Sequence, residues 1–257
     1  MTQQIIGSTF FRTKSCDNSI QWAKDNLASA PDGSVFIAET LTAARGRQGR
    51  TWQCAPGQIA VTILLKPTLF QNLEEQDVAI ELNHLSMALS LGILDPLHTY
   101  GAGLKWPNDF YLAEKKVGGM LIEIVWHDEK PIAAILGFAI NVNNHFDTHH
   151  PLASIATSLS DQTTTIIDES QLLTNLLISL DLWYQNWLAQ NNNLIFESWK
   201  KKQLFLGKKI NVHLHDKSII SGILKDVTPN GDAIIQHDDS LTTISFYEVL
   251  TITEQAR

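Results

Sequence analysis

Three of the five arginines in this 257-residue chain, Arg45, Arg47 and Arg50, fall within six positions. Gly46 and Gly49 separate them, and Thr51 and Trp52 close the segment. A guanidinium presents a rigid fork of donors that matches a carboxylate or a phosphate. Glycine lets the backbone approach such an anion closely. Like charges this close repel one another, so the segment is expected to order around a bound anion. A solvated basic loop or a nucleic-acid patch accounts for the charges. Neither accounts for the interleaved glycines or the closing tryptophan.

A second group lies at Lys105-Trp106-Pro107-Asn108-Asp109. Proline fixes φ and Asn-Asp favours a tight turn, so Lys105 and Asp109 can project from neighbouring positions. A lysine neutralises an anion there, and an aspartate orients a cation or accepts a hydrogen bond. An ordinary turn with a solvated ion pair is the competing reading of the pentapeptide alone. Lys116-Val117-Gly118-Gly119 follows and sets another lysine at the head of an apolar strand. An edge-strand lysine that blocks aggregation is the plainer reading of that residue.

Other polar residues give less. His145, His149 and His150 lack metal-ligand spacing and read as solvated. His213 and His215 share a strand face and read as exposed. Cys16 and Cys54 have no evident histidine partner, which argues against a thiol nucleophile. Trp183, Trp187 and Trp199 stand at helical spacing and read as core.

The elements that must carry these groups follow from periodicity. Helices are expected over 20–28, 77–94 and 170–188, with helical character continuing over 194–206. Val78, Leu82, Leu85, Leu89 and Ile93 would form the apolar face of the second. Strands are expected over 34–39 and 58–66, and 116–126 with 131–141 should form a hairpin of buried strands. After Gly207 the pattern changes to short strands at 210–214, 222–227, 233–236 and 242–246, with Pro229-Asn230-Gly231 as a turn. This order predicts an α+β chain: a mixed body over residues 1–205 and a small β-barrel over residues 206–257.

Composition sets the outer limits. The chain is 44% hydrophobic and 18% charged, with net charge -8. An acidic surface disfavours general nucleic-acid binding. Two cysteines without a disulfide framework, no signal peptide and no apolar run of about 18 residues point to a cytoplasmic protein without a membrane anchor.

Taken in order, these segments resemble the catalytic domain of biotin–protein ligases. The 45–52 segment resembles that family's biotinyl-adenylate loop. Lys105-Trp106-Pro107-Asn108-Asp109-Phe110-Tyr111 is similar to its second motif, and the 116–123 segment to its third. Gly137 to Asn143 and Ala156-Thr157-Ser158-Leu159 are also similar. The resemblance implies a mixed sheet backed by helices, of class II synthetase-like type, followed by an SH3-like barrel. It further implies ATP-dependent formation of biotinyl-5'-AMP with Mg²⁺, then transfer of biotin to a lysine of the biotin carboxyl carrier protein of acetyl-CoA carboxylase. By resemblance, Lys105, Asp109, Lys116 and Arg47 are catalytic. Ser15, Cys16, Asp17, Leu41, Arg45, Gly46, Arg47 and Lys116 contact biotin. Arg47, Arg50, Trp52, Lys105, Asn108 and Asn141 contact the nucleotide. No metal is held by the protein alone, with Asp109 as a magnesium contact.

Some members carry an N-terminal helix-turn-helix and bind DNA. The catalytic motifs here start too early for one, so a short-form ligase without DNA binding is expected; a homodimer stays open. Five positions around the expected biotin pocket differ from the family pattern. Cys16-Asp17 stands for Thr-Asn, Leu41 for Gln, Ala44 for Gly, and Ala60 for an aromatic. Fewer hydrogen-bond partners imply biotin binding weaker by about one to two orders of magnitude. The apolar, roomier pocket leaves a lipoate or octanoate ligase of the same fold as an alternative, and a non-catalytic biotin or adenylate sensor as another.

Overall fold

The computed structural model describes residues 3–255 except 45, 47–51, 53, 148, 246 and 247. Its larger sheet has seven strands: β1 (Phe10–Cys16), β2 (Ser34–Leu41), β3 (Gln58–Leu65), β4 (Gly103–Lys105), β5 (Asp109–Leu112), β6 (Lys115–His127) and β7 (Lys130–Asn141). Their spatial order is β1-β2-β3-β7-β6-β5-β4. Only β1 and β2 run parallel; the other neighbours are antiparallel.

Alternation sends successive side chains to opposite faces. On one face Val35, Val61, Ile63, Leu136 and Phe138 join a large core under α2 (Glu75–His98) and, after the one-turn α3 (Leu159–Thr163), α4 (Glu169–Leu188) and α5 (Asn192–Lys201). On the other, Phe36, Leu64 and Ile135 pack with Ile20 and Ala23 of α1 (Ser19–Asp25) in a smaller core. The side chain of Asn18 accepts from the N–H groups of Ile20 and Gln21, which starts α1 right after the turn-prone 15–18 segment.

Five further strands follow: β8 (Lys209–Leu214), β9 (Ile219–Val227), β10 (Ala233–His237), β11 (Ser240–Ile244) and β12 (Val249–Glu254). They form one antiparallel sheet in the order β11-β10-β9-β8-β12. The fold is thus the expected mixed sheet backed by helices, followed by a small barrel-like sheet.

Some boundaries differ from expectation. The edge strand β1 carries no continuous apolar run and escaped periodicity. So did β12, where a register shift between Val249 and Thr251 spaces the buried Val249 and Ile252 by three instead of two. Helical character does not continue to 206. Beyond Lys201 the chain runs through turns, with Gln203 bridged to Leu104: Leu104 N donates to Lys202 O, and Leu204 N donates to Leu104 O. By length and composition α2 can span a membrane, which the sequence reading missed. However, 67% of its most apolar window is buried inside the protein, as in a core helix.

The predicted core tryptophans divide. Trp187 and Trp199 are buried, while Trp183 is half-buried with its N–H on Asp95. His145 is exposed and paired with Asp161 at 2.6 Å, and this carboxylate raises its pKa.

Candidate active site

The β4–β5 hairpin makes Lys105 and Asp109 cross-strand neighbours, as the turn chemistry suggested. Across the next ladder Asp109 faces Gly119, and Tyr111 faces Lys116. Lys105, Asp109 and Lys116, from three consecutive strands, therefore meet on one patch. Lys116 Nζ donates to Asp109 Oδ1 at 2.6 Å. Lys105 Nζ donates to the Tyr111 hydroxyl at 2.8 Å, and its ammonium also faces the Phe205 ring at 5.8 Å.

Burial shapes the electrostatics here. Lys105 is only 8% exposed. Loss of water lowers its pKa; Asp109 opposes this and Lys116 adds to it. Burial, aided by Asp109, pushes the Tyr111 phenol up to about 12, so it stays protonated. Two ammonium groups against one carboxylate leave a positive patch suited to an anion.

Gly119 lets the ion pair sit low on the sheet. A Cβ there would lie 3.2 Å from both Asp109 Oδ1 and Lys116 Nζ. From Gly119 the register runs to Ala139 and on to Ala60. This row of near-bare backbone spans two strand spacings, about 10 Å. The adjoining row reads Leu121, Gly137 and Thr62, and Thr62 Oγ1 shares a 2.7 Å hydrogen bond with Ser19 Oγ at the start of α1. A long, narrow ligand can lie on this bed with an anionic end at Lys116.

Lys116 is fixed from behind. Its N–H donates to Ile155 O, its C=O accepts from Thr157 N, and Asn141 Nδ2 donates to Thr157 O. Asn141 is 3% exposed, and its Oδ1 accepts from Gln58 and Asn144. Asn108 points its amide to Met120 O at 2.6 Å, along β6.

Arg45, Arg47 and Arg50 lie outside the described residues, but the base of their segment is placed. Trp52 N donates to Ala44 O, so the segment leaves and returns at one point. The Trp52 ring then lies 5.7 Å from the Lys116 ammonium. Gly46 is half-buried in an irregular stretch.

Ser15, Cys16 and Leu41 sit at the ends of β1 and β2, with Ser15 beside Thr40 and Cys16 beside Leu41. Asp17 Oδ1 accepts from Thr42 Oγ1, and Asp17 O accepts from Ala43 N. Burial, then Asp17, raises the Cys16 thiol; burial, then Cys16, raises Cys54. Neither is an activated nucleophile.

Among the described residues no group of three or more His, Cys, Asp or Glu could hold a metal. One carboxylate already paired with a lysine suits a magnesium ion that arrives on phosphate, with Asp109 giving at most one ligand. Sequence reasoning missed Tyr111 as a partner of Lys105, and Ser19, Thr62, Gly119 and Ala139 as the bed. Small residues signal a floor only once strand register aligns them.

Comparison with known proteins agrees with this arrangement. The Biotin/lipoate A/B protein ligase family matches residues 10–141. The biotin--[acetyl-CoA-carboxylase] ligase of Mycobacterium tuberculosis is 30% identical over 208 residues, covering 78% of this chain and 72% of that protein. The bifunctional ligase/repressor BirA of Bacillus subtilis is 27% identical over 199 residues, covering 74% of this chain; the chain spans 58% of that relative's length. A biotin protein ligase from Aquifex aeolicus, solved with biotin and ATP, superposes with a TM-score of 0.79 at 25% identity, covering 96% of this chain and 100% of that one. The chain belongs to the biotin/lipoate A/B protein ligase family, and its relatives there are biotin protein ligases.

Proposed function

We propose that the chain is an ATP-dependent biotin–protein ligase. A carboxylate oxygen of biotin attacks the α-phosphorus of ATP; that P–O bond forms as the bond to pyrophosphate breaks. The lysine amine of a carrier protein then attacks the biotinyl carbonyl. The amide forms, AMP leaves, and the amine's proton passes to solvent.

The observation that carries this reading is the Lys116 ammonium, held over Gly119 by Asp109 at the end of the small-residue bed. There it neutralises the biotin carboxylate and the α-phosphate together, which lets two anions approach. Lys105, kept in place by Tyr111, takes charge from the phosphates. Asn141 does not reach out; it fixes the strand that fixes Lys116. The protein supplies position and charge rather than a covalent intermediate. Asp109 would contact a magnesium ion brought in on ATP, which would supply positive charge for the pyrophosphate leaving group.

Arg47, Arg45 and Arg50 would close over the adenylate and keep water from the mixed anhydride. A relative's name supports acetyl-CoA carboxylase as the protein acted on; in this reading the acceptor is its biotin carboxyl carrier, met in the cytoplasm. In this reading residues 1–205 carry the catalysis and residues 206–257 brace them.

The test uses pure protein, ATP, Mg²⁺ and an apo carrier domain, with biotin or lipoate in parallel. Mass spectrometry of the carrier should show one biotinyl group added. A carrier unchanged with biotin but modified with lipoate sinks the proposal.

A further inference from the structure

Behind the turn at 106–108 the two sheets do not close on each other. A cavity of about 310 Å³ opens there, between β6, α2 and the β9–β10 turn. Alternation along β6 puts Gly119 on the bed and Met120, Ile122 and Ile124 on the opposite face. The cavity therefore lies behind the sheet that carries the bed. Trp106, Met120 and Trp199 close its inner end, each at most 5% exposed. Leu82, Ser86, Ile122 and Ile124 are half-buried and mark its mouth.

The walls are held in place. Trp106 Nε1 donates to Gly231 O at 2.8 Å, and Asn83 Nδ2 donates to Asn230 O at 2.8 Å. These bonds tie the β4–β5 turn and α2 to the C-terminal sheet. Gly231 has φ +88, and a Cβ there would lie 2.9 Å from Met87 Cε, so only glycine lets the β9–β10 turn come this close. A protein interior leaves few voids larger than a water molecule. A framed space of this size falls instead at the lower end of small-molecule pockets, about 300–1,000 Å³.

The lining sets the chemistry of an occupant. Among the described residues it contains no Asp, Glu, Lys or Arg, and its one titratable side chain is His215, exposed at the rim. A charged ligand would lose its hydration there without gaining a counter-ion. Two indoles, Trp106 and Trp199, and two thioethers, Met87 and Met120, suit a flat aromatic body. The amide side chains of Asn83, Asn108 and Asn230 add donors and acceptors rather than charge.

We propose that this cavity is a second small-molecule site, which takes an uncharged, flat aromatic ligand bearing a carboxamide. The proposal goes beyond the ligase reading and does not depend on it. One wall is the turn between Lys105 and Asp109, so an occupant touches the reverse side of the segment that carries both.

The test uses the full chain and 2-naphthamide, which has two fused rings, one carboxamide and no charge. Calorimetry should show one site with a Kd below about 1 mM, as expected for a ligand of this size. In the ¹⁵N-labelled protein the indole N–H signals of Trp106 and Trp199 should move on titration, while that of Trp22, in the smaller core by α1, stays. Saturating biotin and ATP should leave the affinity unchanged within threefold. Ser86→Phe on α2 and Ile122→Phe on β6 each fill the mouth and should weaken binding at least tenfold; if one of them misfolds, the other decides. No binding at about 1 mM overturns the proposal. So does displacement by biotin or ATP, movement of the Trp22 signal alone, or binding within threefold in the folded variants.

Discussion

The indole N–H of Trp106 donates to the backbone carbonyl of Gly231 at 2.8 Å, 125 residues away. Trp106 belongs to the turn that presents Lys105 and Asp109, and Gly231 lies between β9 and β10 of the C-terminal sheet. The hairpin that carries Lys105 and Asp109 is therefore anchored on the second sheet. Asn83 of α2 adds a 2.8 Å bond to Asn230 O beside it. Trp106→Phe keeps most of the apolar bulk and orphans a buried carbonyl. Stability should fall by about 1–3 kcal/mol, read by urea denaturation. An unchanged midpoint would show that water replaces the indole.

Lys116→Gln should lower biotin-dependent pyrophosphate release by about 100- to 1,000-fold, the range for losing one preorganised charge at a developing anion. It removes the cation and leaves the Asp109 carboxylate facing the substrate anions. Rates within fivefold of wild type would move the chemistry away from Lys116.

The ammonium of Lys105 is held below the ordinary lysine value by burial. As pH rises it therefore loses its proton in the folded protein before the unfolded chain does. Between those two values the unfolded state binds more protons, so stability rises with pH while phosphate affinity falls. Tyr111→Phe removes the acceptor that favours the charged form. The alkaline limb of adenylate formation should move to lower pH. A limb that stays put means that another group titrates there.

Gly119→Ala separates activity from stability. Gly119 has no positive φ, so alanine suits the strand. The new methyl lies 3.2 Å from Asp109 Oδ1 and Lys116 Nζ and must displace them slightly. Adenylate formation should fall about tenfold, with the unfolding midpoint unchanged within about 1 kcal/mol. Full activity in this variant would falsify the tight seating of the ion pair.

The sequence by itself determined the long elements and part of the candidate site. Apolar periodicity placed α2, α4 and the β6–β7 hairpin, because burial of one face fixes spacing along the chain. Lys105 and Asp109 were readable as a pair because a Pro-Asn turn brings its two ends together locally. The clustered arginines lie outside the described residues. What the sequence could not carry is the register between strands. Lys116 meets Asp109 only through the β5–β6 register, and Gly119, Ala139 and Ala60 become a bed only when β6, β7 and β3 align. Each is unremarkable alone, since a small residue has no chemistry until its neighbours define a space. The split between β2 and β3 is a matter of tertiary structure entirely. Both strands have ordinary strand sequences, yet they pair only from Ser34 to Phe36, while β2 stays with β1 and β3 with β7 beyond that point.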